Sequence, residues 1–143
     1  RCNMVKLAIK PFDYMSLSTI ETDRPGNTYT ADTLAQIYDS YKKIYFIIGA
    51  DSLLYIQDWY HPEYICSHCH LLCANRDNNS ASVLIDQKHF LADKYGAVID
   101  FIDVPELPYS STDIRKKVAM GLSVKEDVGE EVEEYIKSRK LYV

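Results

Sequence analysis

The sequence has little basic charge, no long apolar run and no regular cysteine spacing. Its 143 residues include 16 Lys and Arg against 21 Asp and Glu, which gives a formal net charge of -5. Proteins that bind nucleic acid polymers usually present a basic field to the phosphates, so no such partner is expected. The apolar stretches, such as residues 45–48, are far shorter than the roughly 18 residues that indicate a membrane span, so no membrane partner is expected either.

The cysteines argue against both disulfides and a metal centre. Cys66, Cys69 and Cys73 lie close together in the chain, where pairwise disulfides are hard to arrange, and we therefore expect a reducing, cytoplasmic location. Cys66, Cys69 and His70 have a spacing that resembles a zinc site. A closed zinc site needs four ligands from two separated halves, and no second Cys or His pair follows. We expect buried thiols and no protein-bound metal, with a small zinc protein as the alternative.

What the sequence does contain is an alternation of short apolar strands and amphipathic helices. Strands are predicted at residues 45–48, 71–74 and 97–104, and the first is wholly apolar, which is typical of a strand covered on both faces in a parallel sheet. The alternation predicts an α/β, doubly wound, mostly parallel fold. We expect residues 1–143 to form a single domain.

Helix signals and breaker residues place the remaining elements. A first helix should end before Pro11, a strand should follow at residues 15–21, and a second helix should be capped by Thr30 and end near residue 43. Residues 77–82 are predicted to be a loop. One C-terminal helix should begin after Ser110 or Ser111 and end at Gly121, and a last helix should span residues 130–138. The acidic stretch 126–134 is expected to be a solvated helix face.

A glycine and a carboxylate follow the first predicted strand. Gly49 and Asp51 lie just past its carboxyl end, which is where ligands bind in open α/β sheets. Glycine allows close approach of a ligand to the backbone, and a carboxylate can accept hydrogen bonds from ribose hydroxyls. Alternatively, Asp51 only caps a helix that starts at Ser52.

A second candidate site lies at the start of a C-terminal helix. Ser110 and Ser111 open this helix, and Arg115 follows one turn later. Amides of the first turn, hydroxyl donors and a guanidinium can converge there on a phosphate. The alternative is an ordinary capped helix with a surface arginine.

Trp59, the only tryptophan, lies in a predicted loop between Asp58 and Pro62. Its ring can stack on a flat heteroaromatic ligand, and free backbone amides nearby can bind a small carboxylate. Alternatively, it is half-buried against the core, as many tryptophans are.

Taken in order along the chain, these motifs resemble those of the bacterial nicotinate-mononucleotide adenylyltransferases. The resemblance runs from Arg1 to Val143. It is carried by Tyr-Thr-x-x-Thr-Leu at residues 29–34, Ile-Ile-Gly-x-Asp-Ser at 47–52, Trp-Tyr at 59–60, Arg76, and Ser-Ser-Thr-x-Ile-Arg at 110–115.

The resemblance implies a Rossmann-like nucleotidyltransferase fold and assigns roles to these residues. Thr30, Trp59 and Tyr60 would form the nicotinate pocket, with the indole stacked on the pyridine ring. The residues that would bind ATP or its adenosine are Gly49, Asp51, Arg76, Ser110, Ser111 and Arg115, and Arg115 would also support catalysis. The implied reaction joins the AMP of ATP, which enters with Mg²⁺, to nicotinate mononucleotide, giving deamido-NAD and pyrophosphate in NAD biosynthesis.

The sequence departs from the family in one important respect. The His-x-Gly-His signature that opens the first helix of family members is absent from these residues, so we expect the domain to be truncated at its N-terminus. We expect weak ligand binding and slow turnover from this chain. The alternatives are a nicotinamide-mononucleotide or other adenylyltransferase of the superfamily, such as a phosphopantetheine adenylyltransferase, and a non-catalytic nucleotide-binding module. A homo-oligomer is a further possibility that the sequence leaves open.

Overall fold

A computed structural model describes residues 1–41, 43–75, 81–105 and 109–143. In chain order, the elements are α1 (Cys2–Ile9), α2 (Thr30–Ile37), β1 (Tyr45–Gly49), α3 (Ala50–Tyr55), α4 (Pro62–His68), β2 (His70–Asn75), α5 (Ala81–Tyr95), β3 (Val98–Asp103), α6 (Ser111–Ala119), α7 (Lys125–Val128) and α8 (Glu130–Ser138). Short 3-10 turns follow α2 at Tyr38–Ser40 and α3 at Ile56–Asp58. Along these described ranges, no helix combines the length and apolarity needed to cross a bilayer.

The chain divides into two compact units. The first contains Arg1–Thr19 and Leu107–Val143, and the second contains Ile20–Glu106. The first is helical in its described residues, with α1 and α7 packed against α8. The second contains the sheet. The single nucleotidyltransferase-like domain expected for residues 1–143 stays a prediction.

The sheet of the second unit is parallel, with the strand order β1-β2-β3 among the described residues. Tyr45 pairs with His70, and His70 in turn pairs with Val98. The connections run through α3 and α4 and then through α5, and α3 and α5 pack on the strands. This arrangement confirms the predicted α/β class with a mostly parallel sheet.

The core of the second unit lies between one face of the sheet and the helices. Leu71 and Cys73 of β2 are fully buried there, next to Leu53 of α3 and Leu91 of α5. The prediction that β1 is covered on both faces is wrong. Ile47 is 65% exposed and Ile48 only 6%, because side chains alternate between the two faces of a strand and Ile48 is on the face that packs on the core.

Four sequence predictions of local structure need correction. Residues 15–21 form no strand, since their alternation of apolar and polar side chains is imperfect and most of them are exposed. Tyr29, and not Thr30, is the N-cap of α2, which ends at Ile37 instead of near residue 43. The predicted loop at residues 77–82 extends too far, because α5 already begins at Ala81; residues 76–80 lie outside the described residues.

The fourth prediction that needs correction is the solvated acidic face at residues 126–134. Glu133 is only 6% exposed, because its carboxylate accepts hydrogen bonds from the Ser123 hydroxyl and from the Val124 backbone amide. These two donors hold the pKa of Glu133 down to about 2. Glu133 therefore ties α8 to the segment that precedes α7. The predicted boundaries of α8 and the predicted end of α6 before Gly121 are confirmed.

Candidate active site

Three predicted ligand-binding residues lie together in one pocket of the second unit. Thr30, Trp59 and Tyr60 line an open pocket of about 370 Å³ between the start of α2 and the segment before α4. Its other lining residues are Thr28, Tyr29, Asp58 and Ile65. The structure thus brings together two motifs that lie about 30 positions apart in the sequence. These four additional residues were not predicted from the sequence, although each lies within five positions of a predicted one.

Trp59 fits both of its sequence interpretations. It lies in the irregular segment between the 3-10 turn and α4, as predicted. It packs against the core, with its ring edge-on to Phe46 at 6.3 Å between centroids, and it also lines the pocket. Anchoring one part of the indole in the core fixes the orientation of the part that faces the pocket.

Two tyrosines, Tyr29 and Tyr60, form part of the lining of the same pocket. The rings of Tyr29 and Tyr60 lie 4.5 Å apart at 35°, so the N-cap residue of α2 contacts the loop residue directly. Thr30 is the first residue of α2, and the backbone amides of this helical turn lack helical acceptors. Thr30 lines the pocket, so its hydroxyl could donate to an anionic group there, and the start of α2 adds the positive end of the helix dipole.

Gly49 and Asp51 lie at the carboxyl end of β1, as predicted. Gly49 has φ -81, a conformation that any residue adopts, and a Cβ added to it would meet no atom within 4 Å. Neither backbone strain nor internal packing therefore explains the glycine. The alternative role of Asp51 as a cap is wrong, because α3 begins at Ala50 with Gly49 as its N-cap. Asp51 lies exposed in the first turn.

The predicted phosphate-binding residues of the first unit lie at the start of α6. Ser110 is the N-cap, and its hydroxyl oxygen accepts a hydrogen bond from the Asp113 amide at 3.0 Å. Ser111 and Arg115 line a pocket of about 410 Å³, and the Arg115 guanidinium lies 5.6 Å from the centre of the Tyr142 ring. Arg76 is outside the described residues, so its predicted role is not addressed by the structure.

The Ser110 hydroxyl also donates a hydrogen bond to the Asp113 carboxylate at 2.7 Å. This bond lowers the pKa of Asp113, with a further contribution from the charge of Lys116. The capping interpretation of Ser110 is therefore correct. A phosphate at this turn would have to compete with the Asp113 carboxylate for the Ser110 hydroxyl proton, and the Asp113 amide is already bonded to the Ser110 oxygen.

The cysteine segment forms part of the core. Cys66, Cys69 and Cys73 are buried free thiols, which confirms the prediction from the sequence. Desolvation raises the pKa of Cys66 to about 11 and that of Cys69 to about 12, so the thiolate form that binds zinc is disfavoured. Across the described ranges, no three His, Cys, Asp or Glu side chains are grouped so that they could hold a metal ion.

The sequence and the fold were compared with those of known proteins. The family model described as cytidylyltransferase-like matches residues 1–117, which places the chain in that class of nucleotidyltransferases. The curated relatives define it further. The proteins from Lachnoclostridium phytofermentans, from a Thermoanaerobacter species and from Caldicellulosiruptor bescii are each named "probable nicotinate-nucleotide adenylyltransferase". They are 35%, 37% and 35% identical to this chain, cover 100%, 97% and 99% of it, and are themselves covered over 72%, 67% and 72% of their length. The chain therefore belongs to the nicotinate-nucleotide adenylyltransferase family.

Solved structures support the fold. Two structures of the Plasmodium falciparum nicotinic acid mononucleotide adenylyltransferase, complexed with APC and with NaAD, match with a TM-score of 0.71 and 18% sequence identity. The matches cover 98% of this chain and 73% and 71% of those chains. The predicted nucleotidyltransferase fold is confirmed by this likeness.

Proposed function

We propose that this protein transfers the adenylyl group of ATP to nicotinate mononucleotide, releasing pyrophosphate and forming deamido-NAD for NAD biosynthesis. The observation that carries the proposal is the pocket in which Thr30, Trp59 and Tyr60 meet. The names of the curated relatives and the nucleotides in the two solved structures support it. The free thiols of all four cysteines support a reducing compartment, and we propose the cytoplasm.

The pocket suits an aromatic ring that carries a carboxylate. The pyridine ring of nicotinate would stack on the part of Trp59 that the contact with Phe46 leaves facing the pocket. The ring carboxylate would lie at the start of α2, where the Thr30 hydroxyl and the free amides are donors. Asp58 lines the same pocket, and its negative charge would direct the carboxylate away from the loop and toward α2.

Asp58 also gives a physical reason to consider a second substrate. The amide group of nicotinamide is a hydrogen-bond donor, and the Asp58 carboxylate is an acceptor within the pocket. Nicotinamide mononucleotide is therefore the second candidate. Comparing the two mononucleotides separates these candidates, because they differ only in this ring substituent.

Each of the two motifs that the resemblance assigned to ATP offers its own groups for the nucleotide. The open space above Gly49 would let the nucleotide approach the backbone, and the Asp51 carboxylate would accept hydrogen bonds from ribose hydroxyls. Ser110 and Ser111 would donate to phosphate oxygens, and Arg115 would bind them with its guanidinium. Mg²⁺ would enter with ATP as part of the substrate.

The proposed reaction needs no protein nucleophile. A phosphate oxygen of the mononucleotide attacks the α-phosphorus of ATP, and the bond to the β-phosphate oxygen breaks in line with it. The protein would contribute the positioning of the two nucleotides and the stabilisation of charge on the transferred group. Arg115 is the described residue proposed to provide that charge stabilisation.

The first test is a binding titration, because Trp59 is the only tryptophan and its fluorescence reports on the pocket. We expect nicotinate mononucleotide to quench this fluorescence at lower concentration than nicotinamide mononucleotide does. Phosphopantetheine, the acceptor used by another branch of the superfamily, should have no effect. Deamido-NAD formation with MgATP is then measured by chromatography.

The outcomes separate the alternatives. Tighter binding of nicotinamide mononucleotide would shift the proposal to the second candidate. Saturable binding of both nucleotides without any deamido-NAD would favour a non-catalytic nucleotide-binding module. No response of Trp59 to either mononucleotide at millimolar concentration would refute the proposed pocket.

A further inference from the structure

The pocket lined by Thr30, Trp59 and Tyr60, called the pyridine pocket below, is followed in the chain by a residue with an unfavourable backbone conformation. His61, which directly follows Tyr60, has φ 51 and ψ 60. This left-handed region is disfavoured for every residue that has a Cβ atom, and His61 is not a glycine. The following residue is Pro62, which disfavours the right-handed helical conformation at His61. The chain therefore turns sharply between the pocket loop and α4.

This turn positions both sides of the pocket loop. The His61 carbonyl oxygen accepts hydrogen bonds from the amides of Tyr64 at 3.1 Å and Ile65 at 3.2 Å, and these bonds begin α4. Ile65 is fully buried and lines the pocket. Tyr60 and Ile65 therefore reach the same pocket from opposite sides of the His61 turn.

The His61 side chain contacts residues on both sides of the turn, Glu63 after it and Tyr60 before it. Its Nδ1 atom lies 2.8 Å from Glu63 Oε1, and because a carboxylate can only accept, Nδ1 must be the donor. The second contact of the His61 side chain is with an aromatic ring. The His61 ring lies edge-on to Tyr60 at 4.2 Å, and Tyr60 lies 4.5 Å from Tyr29 at the start of α2. One continuous series of contacts thus runs from Glu63 to α2.

We propose that His61 and Glu63 are positioning residues of the pyridine pocket: the pair holds the Tyr60 ring against Tyr29 and so fixes the part of the pocket lining that these two tyrosines form. The inference rests on the proposed function, since it concerns the same pocket. Neither residue lines that pocket, so neither is a catalytic or ligand-binding residue. The pair sets the arrangement of the residues that do.

The exposure of the pair separates this role from a purely structural one. The His61 and Glu63 side chains are 54% and 57% exposed, and hydrogen-bonded pairs with that exposure add little to folding stability. Removing the pair should therefore leave the melting temperature almost unchanged. Its effect should appear in the pocket, where Tyr60 would no longer be held from the side of α4.

The test uses variants that separate the side chain from the backbone. His61→Gly removes the ring but is fully compatible with the left-handed conformation. Glu63→Ala removes the acceptor, and Glu63→Gln keeps an amide oxygen that can accept from Nδ1. Ser67→Ala is the matched control, because it removes a hydrogen bond from the same helix at a residue that does not line the pyridine pocket.

Two quantities are measured on each variant: the affinity for nicotinate mononucleotide and for ATP, and the acrylamide quenching of Trp59 in the ligand-free protein. We expect His61→Gly and Glu63→Ala each to bind nicotinate mononucleotide about 1.5- to fivefold more weakly, the range that loss of an exposed pair corresponds to. The double variant should bind no more weakly than His61→Gly. Glu63→Gln should regain most of the affinity, and ATP binding should not change.

The ligand-free measurement keeps the inference separate from the proposed function. If the unmodified protein does not bind nicotinate mononucleotide, the proposed function fails, but greater quenching of Trp59 in His61→Gly and Glu63→Ala than in Ser67→Ala would still support the positioning role. Unchanged quenching in both variants, unchanged mononucleotide affinity, or an equal loss of ATP affinity would each overturn it.

Discussion

Substitutions at Ser110 distinguish a helix cap from a phosphate-binding hydroxyl. The structure shows the cap: the Ser110 oxygen accepts from the Asp113 amide at 3.0 Å at the start of α6. An N-cap serine replaced by alanine costs about 1 kcal/mol of stability. For a protein of this size, that cost corresponds to a decrease of about 4 °C in melting temperature. Asn at the N-cap is as favourable as Ser, so Ser110→Asn should melt near the unmodified protein.

The effect on ATP affinity has a different physical cause, the hydrogen bond that the side chain would donate to a phosphate. A hydrogen bond to a charged group is worth about 1.5–3 kcal/mol, and because Ser110 is exposed we use the lower end, which corresponds to roughly a tenfold change in affinity. Ser110→Ala should therefore lose about 4 °C and bind ATP about tenfold more weakly. Ser110→Asn, whose amide can still donate, should keep most of the stability and most of the affinity.

The assays are thermal unfolding followed by circular dichroism and calorimetric titration with MgATP. Both readouts are needed, because a loss of affinity that merely follows partial unfolding would disappear at low temperature. The control is Lys116→Ala, which removes the charge 3.7 Å from Asp113 Oδ1 but keeps both hydrogen bonds between Ser110 and Asp113. If Ser110→Ala loses stability but binds ATP as tightly as the unmodified protein, Ser110 is a cap only and its predicted phosphate role is wrong.

Three further predictions concern the pocket and the first unit. Trp59→Ala should weaken nicotinate mononucleotide binding about tenfold or more, since an aromatic stack on a flat ring is worth about 1–3 kcal/mol, and calorimetry should show a smaller loss for Trp59→Phe. Asp58→Asn should improve the affinity for nicotinate mononucleotide relative to nicotinamide mononucleotide, because it removes a negative charge from the pocket; an unchanged ratio of the two dissociation constants would contradict this. Glu133 has a folded-state pKa of about 2, lower than its unfolded value, so its stabilisation is complete above the unfolded pKa of about 4.5 and is lost as the pH falls toward 2. Melting temperatures between pH 6 and 2.5 should therefore fall less steeply in Glu133→Gln than in the unmodified protein.

The fold was predictable from the sequence where one local signal decides the structure. Each of the three strands is a short apolar run, and each appears within two residues of its predicted position. The cap at Ser110 and the stop at Gly121 follow from side-chain and backbone preferences that act within one helical turn. The strand predicted at residues 15–21 failed because alternation is a weak signal without a neighbouring strand to pair with.

Burial was less predictable, because it depends on elements far apart in the chain. The acidic run 126–134 is a reasonable solvated face by composition, yet Glu133 is buried where Ser123 and the Val124 amide supply donors. The exposure of Ile47 likewise depends on which face of β1 packs on the core. Neither fact is encoded within a single window of sequence.

The candidate site shows the same division between local and long-range information. The motif positions Thr30, Trp59 and Tyr60 could be chosen from the sequence, because each carries a side chain or backbone group with suitable chemistry. What makes them a pocket is a set of long-range contacts: the ring of Trp59 against Phe46, and the ring of Tyr29 against Tyr60. The position of Tyr60 depends on the next residue, His61, whose carbonyl oxygen accepts the hydrogen bonds that begin α4. Substrate preference in this pocket should therefore respond to changes in residues that never touch the ligand, and variants of such residues are the sharper test of how the pocket works.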